Sequence, residues 1–352
     1  MSENSATIQE REQWIDVAKG IGIMLVIAGH TIAMKTIQPI YAFHLPLFFL
    51  LSGLVFNHQK YATARTYFPA KVRQILKPWA VMFLISLLVC LAIPAWRENL
   101  SLQRTLSELH TTMTNNVQNS SLWYLLCLFT MYVLFFFVNK IPRNIYTVSI
   151  MIIVAFLLPW MRSAEMDLLK SICHMPGDRL PFKIDSALVG LVFFSIGAWL
   201  PDVVRKIVKR DYSWAFLILM AAAALLAAWW DKPINIQHIM LGKESLSFYL
   251  VSLMGIAAVC MISHKIATSA PDKVRRLFAF YGRNSLLVFG FQSLFIRMYL
   301  LVVNDITGEN YRLYQDNPMI HQIGSFVVVT FIVMPLVTCF FLFLRKKGIH
   351  LL

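Results

Sequence analysis

Two histidines lie in apolar sequence that a lipid-facing helix would fill with hydrocarbon. His30 closes the run Gly20-Ile21-Gly22-Ile23-Met24-Leu25-Val26-Ile27-Ala28-Gly29, and His44 opens Leu45-Pro46-Leu47-Phe48-Phe49-Leu50-Leu51-Ser52-Gly53. A charged side chain at the centre of a membrane helix costs ~2.5–3.5 kcal/mol on insertion scales. Even a neutral imidazole keeps two nitrogens that need partners. Held beside a weakly acidic hydroxyl, such an imidazole can take its proton as a bond forms. Lys19 stands eleven residues before His30. At about 100° per residue that spacing returns to nearly the same helix face, about 20° off, and climbs about 16.5 Å. Asp16 sits one turn below Lys19 on roughly that face. One stripe therefore runs from a cation–carboxylate pair to an imidazole in the opposite half of a bilayer. Gly20, Gly22 and Gly29 let another helix or a ligand approach the same segment closely. Each residue also has a structural reading: Lys19 as a snorkelling helix-end cation, the histidines as polar contacts between helices, and Ser52 with Gly53 as a close-packing site.

The elements that must hold these residues are membrane helices. The chain has 352 residues, 58% hydrophobic and 14% charged, with a mean hydropathy of +0.63, which excludes an ordinary soluble protein. The net charge of +14 is read as loops rich in Lys and Arg facing the cytoplasm, not as a nucleic-acid surface. Five cysteines (Cys90, Cys127, Cys173, Cys260, Cys339) show no metal-ligand spacing, and four lie in apolar runs, so neither a metal site nor a disulfide framework is expected. No cleavable leader is read at the N-terminus. A span needs about 17–25 apolar residues, and ten candidates follow: 17–36, 40–56, 78–95, 121–138, 145–161, 184–200, 213–230, 246–264, 281–302 and 322–344. Alternate connections hold 21 and 10 of the 32 Lys and Arg residues, with Arg297 inside the ninth span. That imbalance puts both termini in the cytoplasm. Trp14, Trp79, Trp123, Trp160, Trp199, Trp214, Trp229 and Trp230 fall near span ends, where an indole keeps its N–H wet. The expected fold is an all-α polytopic integral membrane protein of about ten transmembrane helices, with residues 1–352 forming one domain.

Lys19, ten residues and then His30 resembles the Arg/Lys-x10-His signature of the acyltransferase family 3 membrane enzymes. Further segments match in order. Phe43-His44-Leu45-Pro46-Leu47-Phe48-Phe49-Leu50-Leu51-Ser52-Gly53 resembles a segment of the fucose 4-O-acetylase-like branch. Lys71-Val72-Arg73-Gln74-Ile75-Leu76-Lys77-Pro78 resembles the basic run before the third span, and Ser121-Leu122-Trp123-Tyr124-Leu125 the start of the fourth. Leu180-Pro181-Phe182-Lys183-Ile184-Asp185-Ser186-Ala187, Phe193-Phe194-Ser195-Ile196-Gly197 and Gly282-Arg283-Asn284-Ser285-Leu286 resemble later family segments. Gln292 stands where family members often carry a histidine; a glutamine can bond a sugar but does not move protons. Larger relatives also carry an SGNH-type domain, so here the membrane domain is expected to act alone.

The resemblance implies transfer of an acyl group, usually acetyl from acetyl-CoA, to a carbohydrate hydroxyl at a bacterial plasma membrane. The acceptor would be a polysaccharide or a lipid-linked sugar, with membrane lipids as the surroundings and neither metal nor nucleic acid as a partner. His30 is the expected general base, with an acetyl-histidine route left open, and His44 the expected second catalytic group or acceptor ligand. Lys19, Lys71 and Arg73, with Ser52 deeper in the second span, are the expected donor-binding residues, since CoA carries phosphates and Arg binds phosphate bidentately. Asp16, Asp185, Asn284, Ser285 and Gln292 are the expected substrate-binding residues; Asp185 has a helix-capping reading beside that one. The competing class is a carbohydrate transporter or flippase, which intramembrane polar residues and glycines would also suit. Against it, the sequence shows no inverted repeat and no paired broken helices.

Overall fold

The structure, a computed structural model, describes residues 12–57, 63–93, 121–141, 181–309 and 317–349. Helix α1 (Gln13–Thr31) leads through a short turn, Met34–Ile37, and a 3-10 segment, Gln38–Ala42, into α2 (His44–Leu54). Then come α3 (Ala64–Ala92), α4 (Trp123–Val138), α5 (Ile184–Trp199), α6 (Pro201–Val208), α7 (Trp214–Trp230), α8 (Ser245–Ser269), α9 (Asp272–Arg283), α10 (Ser285–Thr307) and α11 (Met319–Lys346). Nine of the ten expected spans overlie one of these helices, and the tenth, 145–161, lies outside the described residues.

Among the described residues, α1, α3, α8, α10 and α11 are long and apolar enough to cross a membrane. The pair α5 and α6, bent by 81°, makes a sixth if counted as one span. The fold is thus that of a multi-pass, almost wholly helical membrane protein. A two-stranded hairpin, β1 (Ile234–Asn235) against β2 (Met240–Leu241), departs from the all-helical expectation. It forms because Ile234, Ile236, Ile239 and Leu241 bury together over the bundle. Gln38 Nε2 donates to the Ile234 carbonyl at 2.8 Å, and Ser186 Oγ to the Ile236 carbonyl at 3.0 Å.

The third helix begins well before the expected start at 78, since the basic run is itself helical. Pro78 has no N–H and its ring would strike the carbonyl four residues back. A π-turn at Val72–Leu76 widens the helix just ahead of it. Pro335 in α11 is preceded by a second π-turn, Val329–Val333. In both places the chain keeps its direction through proline by loosening one turn.

Helix α1 is the axis of the bundle and packs on α2, α8, α9 and α10. The closest seatings use glycine. A Cβ on Gly20 would collide with the Phe278 backbone, and one on Gly282 with the Asp16 backbone, so α1 and α9 touch main chain to main chain. Helices α2 and α5 repeat the device: Gly53 meets the Phe194 carbonyl and Gly197 meets the Leu50 carbonyl. Lipid is as apolar as leucine, so helices in a bilayer gain from such close packing more than from burying hydrocarbon. By contrast α7 and α11 leave Leu219, Leu226, Leu336 and Phe340 bare, as lipid-facing surfaces do.

Replacing Gly53 or Gly282 with valine should cost ~1–3 kcal/mol through overpacking. Thermal unfolding in detergent should show a lowered Tm for both variants and almost none of this loss for Leu226→Ala, at a position 71% exposed.

Candidate active site

The Lys19 to His30 stripe lies on one unbroken helix, so its rise of about 16.5 Å is kept. The two ends of α1 differ in chemistry. At its start, which we call the basic end, Glu12 accepts from Arg205 Nε at 3.1 Å, Lys209 Nζ at 3.1 Å and Trp14 Nε1 at 2.6 Å. Burial alone would raise the Glu12 carboxyl, but the Lys209 and Trp14 bonds and the charges of Arg205 and Lys209 hold it below its ordinary value. Asp16, 3% exposed, accepts from Arg283 Nε at 3.1 Å. Lys19 lies one turn further on, half-buried.

At the other end of α1 the histidines sit in matching arrangements. His30 Nδ1 lies 2.7 Å from the Val26 carbonyl, and His44 Nδ1 lies 2.6 Å from the Ile40 carbonyl. A carbonyl only accepts, so each Nδ1 carries the hydrogen and each neutral ring keeps its lone pair on Nε2. His44 is buried and His30 half-buried. Tyr41 joins them. Its hydroxyl donates to the Gly29 carbonyl at 2.6 Å, and its ring meets His44 edge-on at 5.0 Å. Beyond His30, the Ala33 N–H donates to Gln322 Oε1 at 2.9 Å, which ties α1 to α11.

The remaining expected residues fall into separate neighbourhoods. Asn284, whose Nδ2 donates to the Phe280 carbonyl at 2.8 Å, and Ser285 occupy the junction of α9 and α10, at the basic end with Asp16. Gln292 is two turns further along α10 and fully buried; its Nε2 donates to Ser121 Oγ at 3.3 Å, and its Oε1 has no hydrogen-bond partner among the described residues. The Ser121 and Ser293 hydroxyls bond to each other beside it. Asp185, on the first turn of α5, accepts from the neighbouring Ser186 N–H at 2.7 Å, while the helix start has no side-chain cap. Buried Lys183 lies two residues away.

Lys71 and Arg73 diverge at the π-turn. Lys71, 5% exposed, holds its ammonium 3.9 Å from the Tyr132 ring centroid, with the Phe56 and Tyr67 rings at 5.7 and 5.8 Å. Arg73 is exposed. Ser52 is half-buried near the basic end of α2, next to the Gly53 contact with α5. Sequence reasoning missed Tyr41, Ser121, Ser293 and Arg283. Tyr41 carried a signal, standing three residues before His44 on the same turn. Arg283 carried none, because its partner Asp16 is 267 residues away. Among the described residues no cluster of His, Cys, Asp and Glu could hold a metal ion.

A membrane bundle with two imidazoles set to accept protons at one end of a polar stripe, and cations at the other, has the parts of a group-transfer enzyme. Comparison with protein families agrees: the model described as an acyltransferase domain matches residues 12–344. The chain belongs to the acyltransferase family 3 and is a membrane acyltransferase. No curated protein and no solved structure matches it.

Tyr41→Phe removes the part-buried hydrogen bond to the Gly29 carbonyl and should cost ~0.5–1.5 kcal/mol of stability, read as a lower Tm. Glu12 has a depressed carboxyl, so its stabilisation is present above the ordinary carboxylate value of about 4.3 and is lost as pH falls through the folded-state value. Glu12→Gln should therefore unfold at lower temperature than wild type at neutral pH, and the gap should close on acidification below that range.

Proposed function

We propose that the protein is an O-acetyltransferase of a bacterial plasma membrane, moving an acetyl group from cytoplasmic acetyl-CoA to a hydroxyl of a cell-surface or lipid-linked carbohydrate. The basic end of the bundle faces the cytoplasm in this reading, as the distribution of Lys and Arg favours. Lys19 and exposed Arg73 meet the phosphates of CoA at that mouth, with Ser52 lining the path inward. Lys71, sheathed by three rings, holds charge near the path without reaching into solvent. Asp16, Asn284 and Ser285 share this end and shape the donor mouth rather than touching the sugar. The pantetheine arm carries the thioester up the stripe.

His30 Nε2 takes the proton of the acceptor hydroxyl as its oxygen attacks the thioester carbonyl. The carbon–sulfur bond breaks, and the CoA thiolate leaves and recovers the proton. His44 orients the acceptor or shares the proton, and Gln292 and Asp185 offer hydrogen-bonding groups to the sugar. The motifs shared with the fucose 4-O-acetylase-like branch favour a sugar acceptor. The observation that carries the reading is the pair of Nδ1 contacts, to the Val26 and Ile40 carbonyls four residues back, which leave both Nε2 atoms for an outside proton.

His30→Ala should lower acetyl transfer by purified protein about 100-fold or more, and cell-surface glycans from such a strain should lose acetyl mass. Undiminished transfer by that variant would sink the assignment. Lys19→Ala should raise KM for acetyl-CoA and leave KM for the acceptor alone; the reverse pattern would overturn the donor-side reading of the basic end.

A further inference from the structure

Helix α9 has two working faces. One carries Phe278 and Gly282 onto the backbone of α1. The other runs Lys273, Arg276, Leu277, Phe280, positions three and four apart that stack on one side of a helix. This second side borders a cavity of about 480 Å³, completed by Tyr281 and by Pro335 of α11.

The lining is divided. The cations come from the first half of α9, while Leu277, Phe280, Tyr281 and Pro335 supply an apolar wall. That wall continues along α11 through Phe331, Ile332 and Leu336, exposed by 49%, 53% and 66%. Val274 and Leu277, also exposed, place α9 at an interface where an amphipathic helix lies between water and hydrocarbon. The Tyr281 hydroxyl is already given to the Thr330 carbonyl. Asp272 is shared by Arg275 and, at 3.5 Å, Arg276. Lys273 has no carboxylate partner among the described residues. One carboxylate thus faces three cations, and the side of α9 toward the cavity keeps positive charge in excess.

We propose that this cavity binds an anionic phospholipid, its phosphodiester between Lys273 and Arg276 and an acyl chain along the apolar flank of α11. A soluble phosphate would use the cations but gain nothing from the hydrocarbon wall, whereas an anionic amphiphile uses both. Basic residues at a membrane surface draw such lipids. The consequence reaches the candidate active site, because α9 is seated on α1 at Gly20 and bonded to it through Arg283 and Asp16. A lipid held there steadies the mouth of the stripe that leads to His30. The binding claim stands independently of the proposed acetyl transfer and is tested without it.

Delipidated full-length protein in neutral detergent, titrated with phosphatidylglycerol or phosphatidylcholine, is followed by native mass spectrometry and thermal unfolding. Phosphatidylglycerol should give a retained adduct and a raised Tm, and phosphatidylcholine should give neither. Lys273→Gln/Arg276→Gln should bind phosphatidylglycerol about tenfold more weakly; both positions are exposed, so the fold is kept. Lys346→Gln/Lys347→Gln, the same loss of charge elsewhere, should bind as wild type does, and so should the charge-keeping Lys273→Arg/Arg276→Lys. The proposal is overturned if the neutral Lys273/Arg276 pair retains full affinity or the charge-keeping pair loses it. It is equally overturned if inorganic phosphate or CoA reproduces the Tm shift in a manner that needs Lys273 and Arg276, since the site would then belong to a soluble phosphate.

Discussion

An imidazole turned toward hydrocarbon leaves its nitrogens unpaired, so a membrane helix that carries one must be enclosed by its neighbours. Helix α1 meets that demand by being the axis of the bundle, contacted by α2, α8, α9 and α10. Enclosure inside a bilayer cannot be driven by exclusion of apolar groups from water. It rests on backbones brought into contact, and Gly20 against Phe278 with Gly282 against Asp16 is where α1 achieves it. The α2–α5 seating through Gly53 and Gly197 does the same for the helix that carries His44.

With α1 enclosed, its two ends are free to differ. The basic end is closed by ion pairs, Glu12 with Arg205 and Lys209, and Asp16 with Arg283. These are partly wet, so their worth is modest in energy and greater in fixing where α6 and α9 meet α1. The other end holds neutral hydrogen bonds from Nδ1 to backbone carbonyls, and Tyr41 ties the two histidine segments through Gly29. Ion pairs thus gather at one end of α1 and imidazole–carbonyl hydrogen bonds at the other.

Much of this was legible in the residues. Helix-forming apolar runs placed nine of the expected spans on helices of the described residues, and the eleven-residue spacing of Lys19 and His30 survives because α1 has no break between them. Gly20 and Gly22 proved to be points of close approach, whereas at Gly29 a side-chain carbon would meet Tyr41 only at ordinary contact distance. What misled was local: the basic run before Pro78 read as a loop, yet a π-turn lets the helix pass the proline. The hairpin at Ile234 to Leu241 was hidden because its burial depends on the 3-10 segment and α5, which are distant in sequence.

Hydropathy, the Lys and Arg imbalance and the periodicity of one helix are properties of neighbouring residues, and so the sequence by itself determined a membrane protein with an internal polar stripe. Partnerships are another matter. That Arg283, far along the chain, bonds Asp16, that Lys71 turns inward among Phe56, Tyr67 and Tyr132 while Arg73 stays exposed, and that Asn284 and Ser285 lie at the opposite end of the bundle from His44 were decided only by tertiary structure. Each depends on which helices come to touch and at what rotation, and those contacts are set by complementary surfaces far apart along the chain, which no local pattern records.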